Sequence, residues 1–86
     1  MWYVYILGCK DRSFYTGTTP NLKRRIQEHK EGRGGKYTRL SKVDKLVYYE
    51  IYFKKEEALR REKQIKGWRR EKKENLIKYG NPIGPR

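Results

Sequence analysis

Near its start the chain carries Trp-Tyr-Val-Tyr-Ile-Leu at residues 2–7, followed at once by turn-forming residues and a second extended stretch. Aromatic and β-branched side chains suit a pleated, half-buried surface, so Trp2 to Leu7 predicts a strand. Gly8 to Arg12 holds Gly, Lys and Asp and predicts a turn, with a second strand over Ser13 to Thr18. The two are close enough to form a hairpin. With its loop centred on Lys10, Tyr5 falls opposite Tyr15 and both phenols share one face. A slip of one residue would separate them.

The remaining chain must cover that sheet. Thr19-Pro20 predicts a helix start, with Thr as N-cap and Pro in the first helical position. Leu22 and Ile26 mark its apolar stripe. Gly32, Gly34 and Gly35 end it and open a flexible stretch through about Lys42. Leu46 to Phe53 predicts a third strand. Glu56 to Gly67 predicts a helix broken at Gly67, and another follows from about Arg69 to Tyr79. Gly80-Asn81-Pro82 stops that last helix. The expected fold is α/β: a small three-stranded antiparallel sheet flanked by helices, in the order ββαβαα. Residues 1–80 form the domain and 81–86 a short tail. At 86 residues there is room for one compact domain with a small core.

Charge narrows the partners. Lys and Arg number 23 against 10 Asp and Glu, a net charge of +13. The excess is shared by both halves of the chain, so it belongs to the domain and not to a tail. Such a surface attracts polyanions, with nucleic acid first among them. No apolar run approaches the roughly 20 residues needed to cross a bilayer. The single cysteine, Cys9, excludes an internal disulfide, and no signal peptide is visible, so a cytoplasmic location is expected. One His and one Cys cannot build a zinc site of ordinary spacing. No P-loop is present, and no pair of carboxylates is spaced for a two-carboxylate metal site.

Three groups of residues can carry chemistry. Arg25 and His29 are four apart on the first helix, beside Leu22 and Ile26, and so point toward the sheet. An Arg there can fork onto a phosphate and a His can move a proton. The same spacing also suits a surface Arg and a boundary His that covers the core. Glu62 lies on the apolar stripe of the next helix with Ala58, Leu59, Ile65 and Lys66. One carboxylate with phosphate and waters can hold Mg²⁺, while an i,i+4 ion pair with Lys66 would equally explain it. Tyr5 and Tyr15 can place two hydroxyls together, or can simply be core aromatics. The chain's eight tyrosines make the second use common.

Taken in order, these fragments resemble the GIY-YIG nuclease superfamily. Tyr3-Val4-Tyr5 stands where the family has Gly-Ile-Tyr, and Tyr15-Thr16-Gly17 where it has Tyr-Ile-Gly. Asn21-Leu22-Lys23-Arg24-Arg25 followed by His29 is similar to the family's helix with Arg and His four apart. Glu62-x-x-Ile65-Lys66 resembles the helix with the metal-binding Glu, and the segment from Lys66 to Lys73 looks like very small stand-alone bacterial members. The resemblance implies that Glu62 holds one metal, Mg²⁺ or Mn²⁺. Tyr15 or Tyr5 would deprotonate the attacking water, and Arg25 would steady charge on the phosphate. His29 would assist proton transfer or bind phosphate, and Gly17 would let the chain pass close to the site. Tyr3 for Gly, Val4 for Ile and Thr16 for Ile depart from the pattern, chiefly in packing.

The expected activity is metal-dependent hydrolysis of DNA phosphodiester bonds, nicking one strand, with RNA as an alternative substrate. Lys23, Arg24, Lys36, Arg39, Arg60, Arg61, Arg69 and Arg70 would grip the backbone without reading sequence. Targeting would come from this surface or from a protein partner. The competing expectations are a non-catalytic nucleic-acid-binding module and an adaptor to an acidic protein.

Overall fold

The computed structural model describes residues 1–35 and 40–80. Lys36, Arg39 and the 81–86 tail lie outside the described residues. Strand β1 (Trp2–Cys9) and strand β2 (Phe14–Thr19) form a hairpin, followed by helix α1 (Leu22–Lys30). Strand β3 (Val43–Tyr52), helix α2 (Lys55–Lys66) and helix α3 (Arg70–Tyr79) complete the order ββαβαα. The sheet is antiparallel with strand order β2-β1-β3.

The opening apolar run makes sense once β1 is seen at the centre. Val4, Tyr5, Ile6 and Leu7 are all buried because helices cover both faces of this strand. Val4 and Ile6 pack with Tyr48, Tyr52, Ala58 and Ile65 on the face that carries α2 and α3. Tyr5 and Leu7 pack with Val43, Tyr15, Leu22, Ile26 and Tyr49 on the face that carries α1.

Three expectations are corrected. Tyr5 stands opposite Gly17, and Tyr15 opposite Leu7, so the hairpin register differs by two residues from the expected one. The reason is the turn. Arg12 adopts a left-handed φ of 72°, and the Asp11 carboxylate accepts from the Ser13 backbone N–H and hydroxyl, which shifts the loop by one residue. A shift of two residues preserves the face, so Tyr5 and Tyr15 remain on one side, with ring centroids 6.4 Å apart. The α1 N-cap is Asn21, whose side chain accepts from the Arg24 backbone N–H; Thr19 ends β2 instead. Gly34, placed by sequence in a flexible stretch, is buried.

On the α2 side of β3, a charge sits where the pattern calls for an apolar residue. Glu50 is fully buried between Tyr48 and Tyr52, whose hydroxyls donate to it at 2.5 and 2.6 Å. Arg61 on α2 donates to both its oxygens, at 2.9 and 3.0 Å, and its guanidinium stacks on Trp68. Burial alone would raise the Glu50 pKa, but Arg61 and the two phenols outweigh it and hold the carboxyl below its ordinary range. Arg61 is therefore tied to the interior and is corrected from a backbone-binding cation to a structural one.

Candidate active site

Helix α1 lies across the second face of the sheet, and the spacing Leu22, Ile26, His29 turns His29 inward with the apolar stripe. Its Nε2 shares a 2.9 Å hydrogen bond with the Tyr5 hydroxyl. The Tyr15 ring stands 4.9 Å from the imidazole. Gly34 seals the other side: a Cβ there would come within 2.7 Å of His29 Cε1 and closer still to Nδ1. Arg25, one turn before His29, donates to the Gly34 carbonyl at 2.9 Å and to Glu28 at 3.1 Å. These bonds hold the guanidinium beside Tyr5, whose pKa it affects.

The electrostatics follow from this enclosure. Burial pushes the Tyr5 phenol up to about 12, with hydrogen bonding to Arg25 pulling the other way. Burial, and then the charge of Arg25, pull His29 down to about 4. The imidazole is thus neutral at pH 7 and can accept a proton.

Glu62 approaches from α2, on the other face. The Thr18 hydroxyl donates to one of its oxygens at 2.5 Å, and Lys66 Nζ lies 2.6 Å from the other. Its charge nevertheless reaches Tyr5, where it opposes ionisation of the phenol. Gly17 lets the Tyr5 ring lie against the β2 backbone: a Cβ there would lie 2.6 Å from Tyr5 Cζ and closer still to the hydroxyl. The donor chemistry fits a hard divalent cation held by one carboxylate, with water and phosphate filling its other positions. The ammonium of Lys66 already marks a cation position on Glu62. Among the described residues no cluster of three or more His, Cys, Asp or Glu is present.

Tyr5, Tyr15, Arg25 and His29 are thus gathered on one face, while Glu62 stands on the opposite face beside Thr18 of the edge strand β2, with its charge felt at Tyr5. Val4 lies in the core on the α2 side, away from the phenols. Lys66 is paired with Glu62. Lys23, Arg24, Arg60, Arg69 and Arg70 are exposed, with Arg70 over the Phe14 ring at 4.3 Å. Sequence reasoning missed Thr18 and Gly34; a polar residue directly after Gly17 was the available signal for the first. A cleft of about 540 Å³ lies between α1 and β3 and is lined by none of Tyr5, Tyr15, Arg25, His29 and Glu62.

Over residues 1–75 the chain matches the family model described as GIY-YIG catalytic domain. The chain belongs to the GIY-YIG family, whose domain indicates a nuclease. Within it, the chain is 46% identical to a UPF0213 protein of Haloquadratum walsbyi, covering 94% of this chain and 91% of that one. A UPF0213 protein of Staphylococcus saprophyticus is also 46% identical, over 91% of this chain and 95% of its own length. The solution NMR structure of the UPF0213 protein BH0048 from Bacillus halodurans shares 47% identity, with a TM-score of 0.60. The match covers 93% of this chain and 86% of that one.

Proposed function

We propose that this chain is a nuclease that hydrolyses phosphodiester bonds in DNA, nicking one strand with the help of one divalent metal, Mg²⁺ or Mn²⁺, held by Glu62. The observation that carries the reading is the Tyr5–His29 hydrogen bond with Arg25 alongside. A phenol raised to about 12 is protonated at neutral pH, so it can take a proton only while giving up its own; the neutral His29 imidazole, a weak base at about 4, holds that proton only transiently within the step. Tyr5 accepts the proton of the attacking water while its own moves to His29 Nε2. The water oxygen bonds to phosphorus, the P–O bond to the leaving strand breaks, and the leaving oxygen takes a proton from solvent. Tyr15, packed on His29, orients the water. Arg25 stabilises the charge on the phosphate oxygens in the transition state. The metal supplies Lewis-acid polarisation of the scissile phosphate. Lys23, Arg24, Arg60, Arg69 and Arg70 hold the backbone without sequence reading.

A second reading is a non-catalytic DNA-binding module. It is favoured by one observation: Lys66 already neutralises Glu62 where a metal would bind. Nicking of supercoiled plasmid in Mg²⁺ or Mn²⁺ against chelator separates the two. Wild-type nicking that Glu62→Gln abolishes supports the nuclease. Plasmid binding by both proteins with no nicking by either supports the binding module.

A further inference from the structure

A cavity rich in lysine adjoins His29. It measures about 260 Å³ and is bounded by Lys10, Lys30 and Lys42, with His29 forming part of its wall. These lysines come from the β1–β2 turn, the last residue of α1 and the approach to β3. None makes an ion pair among the described residues. Three exposed lysines lining one cavity give it a positive potential, which favours an anion there.

The backbone holds them there at a cost. Lys42 adopts a left-handed φ of 56°, a conformation that a residue with a Cβ rarely enters. Its carbonyl accepts from the Lys10 backbone N–H at 2.9 Å, which clips the turn to the start of β3. Two features oppose an anion. Glu31 also lines the cavity, and the C-terminal end of α1 carries roughly half a negative charge. Glu31 is engaged by Arg33 and by Gln27 Nε2 at 2.8 Å, so its charge is locally offset. Three lysines outweigh the helix end.

We propose that this cavity is a phosphate subsite that holds a backbone phosphodiester of the substrate strand next to the scissile one. The proposal rests on the nuclease reading above. The shared wall at His29 gives the subsite a fixed relation to the reacting phosphate. Its role is to set where along the strand the cut falls.

The test uses a variant combining Lys10→Gln, Lys30→Gln and Lys42→Asn, since Asn tolerates the left-handed conformation. Binding in chelator is measured on a duplex just long enough to hold one protein, so that its ends fix the register, with linkages replaced one at a time by neutral methylphosphonate. Wild type is expected to lose about tenfold in affinity at one or two adjacent linkages beside the cut, and the variant to be indifferent there. The slope of log affinity against log salt should fall by about 0.9 in the variant, one phosphate contact. A control variant, Lys54→Gln with Lys63→Gln and Lys78→Gln, should keep the wild-type linkage profile. The same profile in the triple-lysine variant overturns the subsite while leaving the nuclease reading intact. A response to a terminal phosphate alone, with none at internal linkages, also overturns it. Wild-type protein that binds no DNA overturns both.

Discussion

Gly17 stands directly opposite Tyr5 in the β1–β2 ladder, and the Tyr5 ring fills the space that a side chain at 17 would need. This glycine is set by a close approach between neighbouring strands. Gly17→Ala should cost about 1–3 kcal/mol through overpacking, because the ring is buried and has nowhere to retreat. Thermal unfolding gives the cost. In a Tyr5→Leu background the same substitution should be close to neutral, and an undiminished penalty there would show that the clash lies elsewhere.

His29 makes stability depend on pH. Its pKa falls from 6.5 to about 4 on folding, so between these values the unfolded chain binds the extra proton. Stability therefore falls as pH drops through 6.5 and levels off below about 4, a loss of up to about 3 kcal/mol. Denaturant titrations at pH 7, 5.5 and 4 measure it. His29→Gln should flatten this part of the profile; an unchanged slope would assign it to other groups. Cleavage measured where the protein stays folded should show no acid limb from this residue near pH 6.5.

How legible this was in the sequence varied with the range of the interaction. The strand at Trp2–Leu7, the inward turn of Arg25 and His29, and the shared face of Tyr5 and Tyr15 all follow from local periods of 3.6 and 2. The hairpin register did not, because it depends on the left-handed Arg12 and the Asp11 turn. Glu50 was hidden for a different reason: Tyr48 and Tyr52 share its face of β3, but the cation that makes its burial tolerable, Arg61, arrives only when α2 docks on β3. The Glu62–Lys66 pair could be read from spacing alone, but Thr18 on the same carboxylate could not.

Arg60 and Arg61 are neighbours with opposite fates. Arg61→Gln leaves the buried Glu50 charge without its cation and should destabilise the fold by about 3–5 kcal/mol. Arg60 is exposed, so Arg60→Gln should shift stability by no more than about 0.5 kcal/mol. Unfolding curves of the two variants should therefore separate widely. DNA affinity should fall for Arg60→Gln at full foldedness. Equal melting temperatures would show that the Arg61–Glu50 pair contributes little.

Thr16 is buried in β2, and its hydroxyl has no hydrogen-bond partner among the described residues. Thr16→Val keeps the shape and removes the unsatisfied group, so it should stabilise the protein by about 1 kcal/mol. For a domain of this size that corresponds to a rise of roughly 4–8 °C in melting temperature. A fall in melting temperature would mean that the hydroxyl is satisfied in solution.

Lys66 and a divalent metal compete for the same carboxylate. The ammonium lies 2.6 Å from Glu62 Oε2, but its side chain is 52% exposed, so it can swing into water when a metal arrives. Removing it should leave Glu62 free of a competitor while Thr18 still orients the other oxygen. Lys66→Met should therefore bind Mn²⁺ severalfold more tightly than wild type in the absence of DNA, as measured by calorimetry or by the spin resonance of free Mn²⁺. An exposed i,i+4 pair stabilises a helix by only about 0.3–0.5 kcal/mol, so the fold should tolerate the change. The effect should vanish in the Lys66→Met, Glu62→Gln double variant. Weaker Mn²⁺ binding by Lys66→Met would mean that the lysine positions the carboxylate for the metal instead of occupying its place.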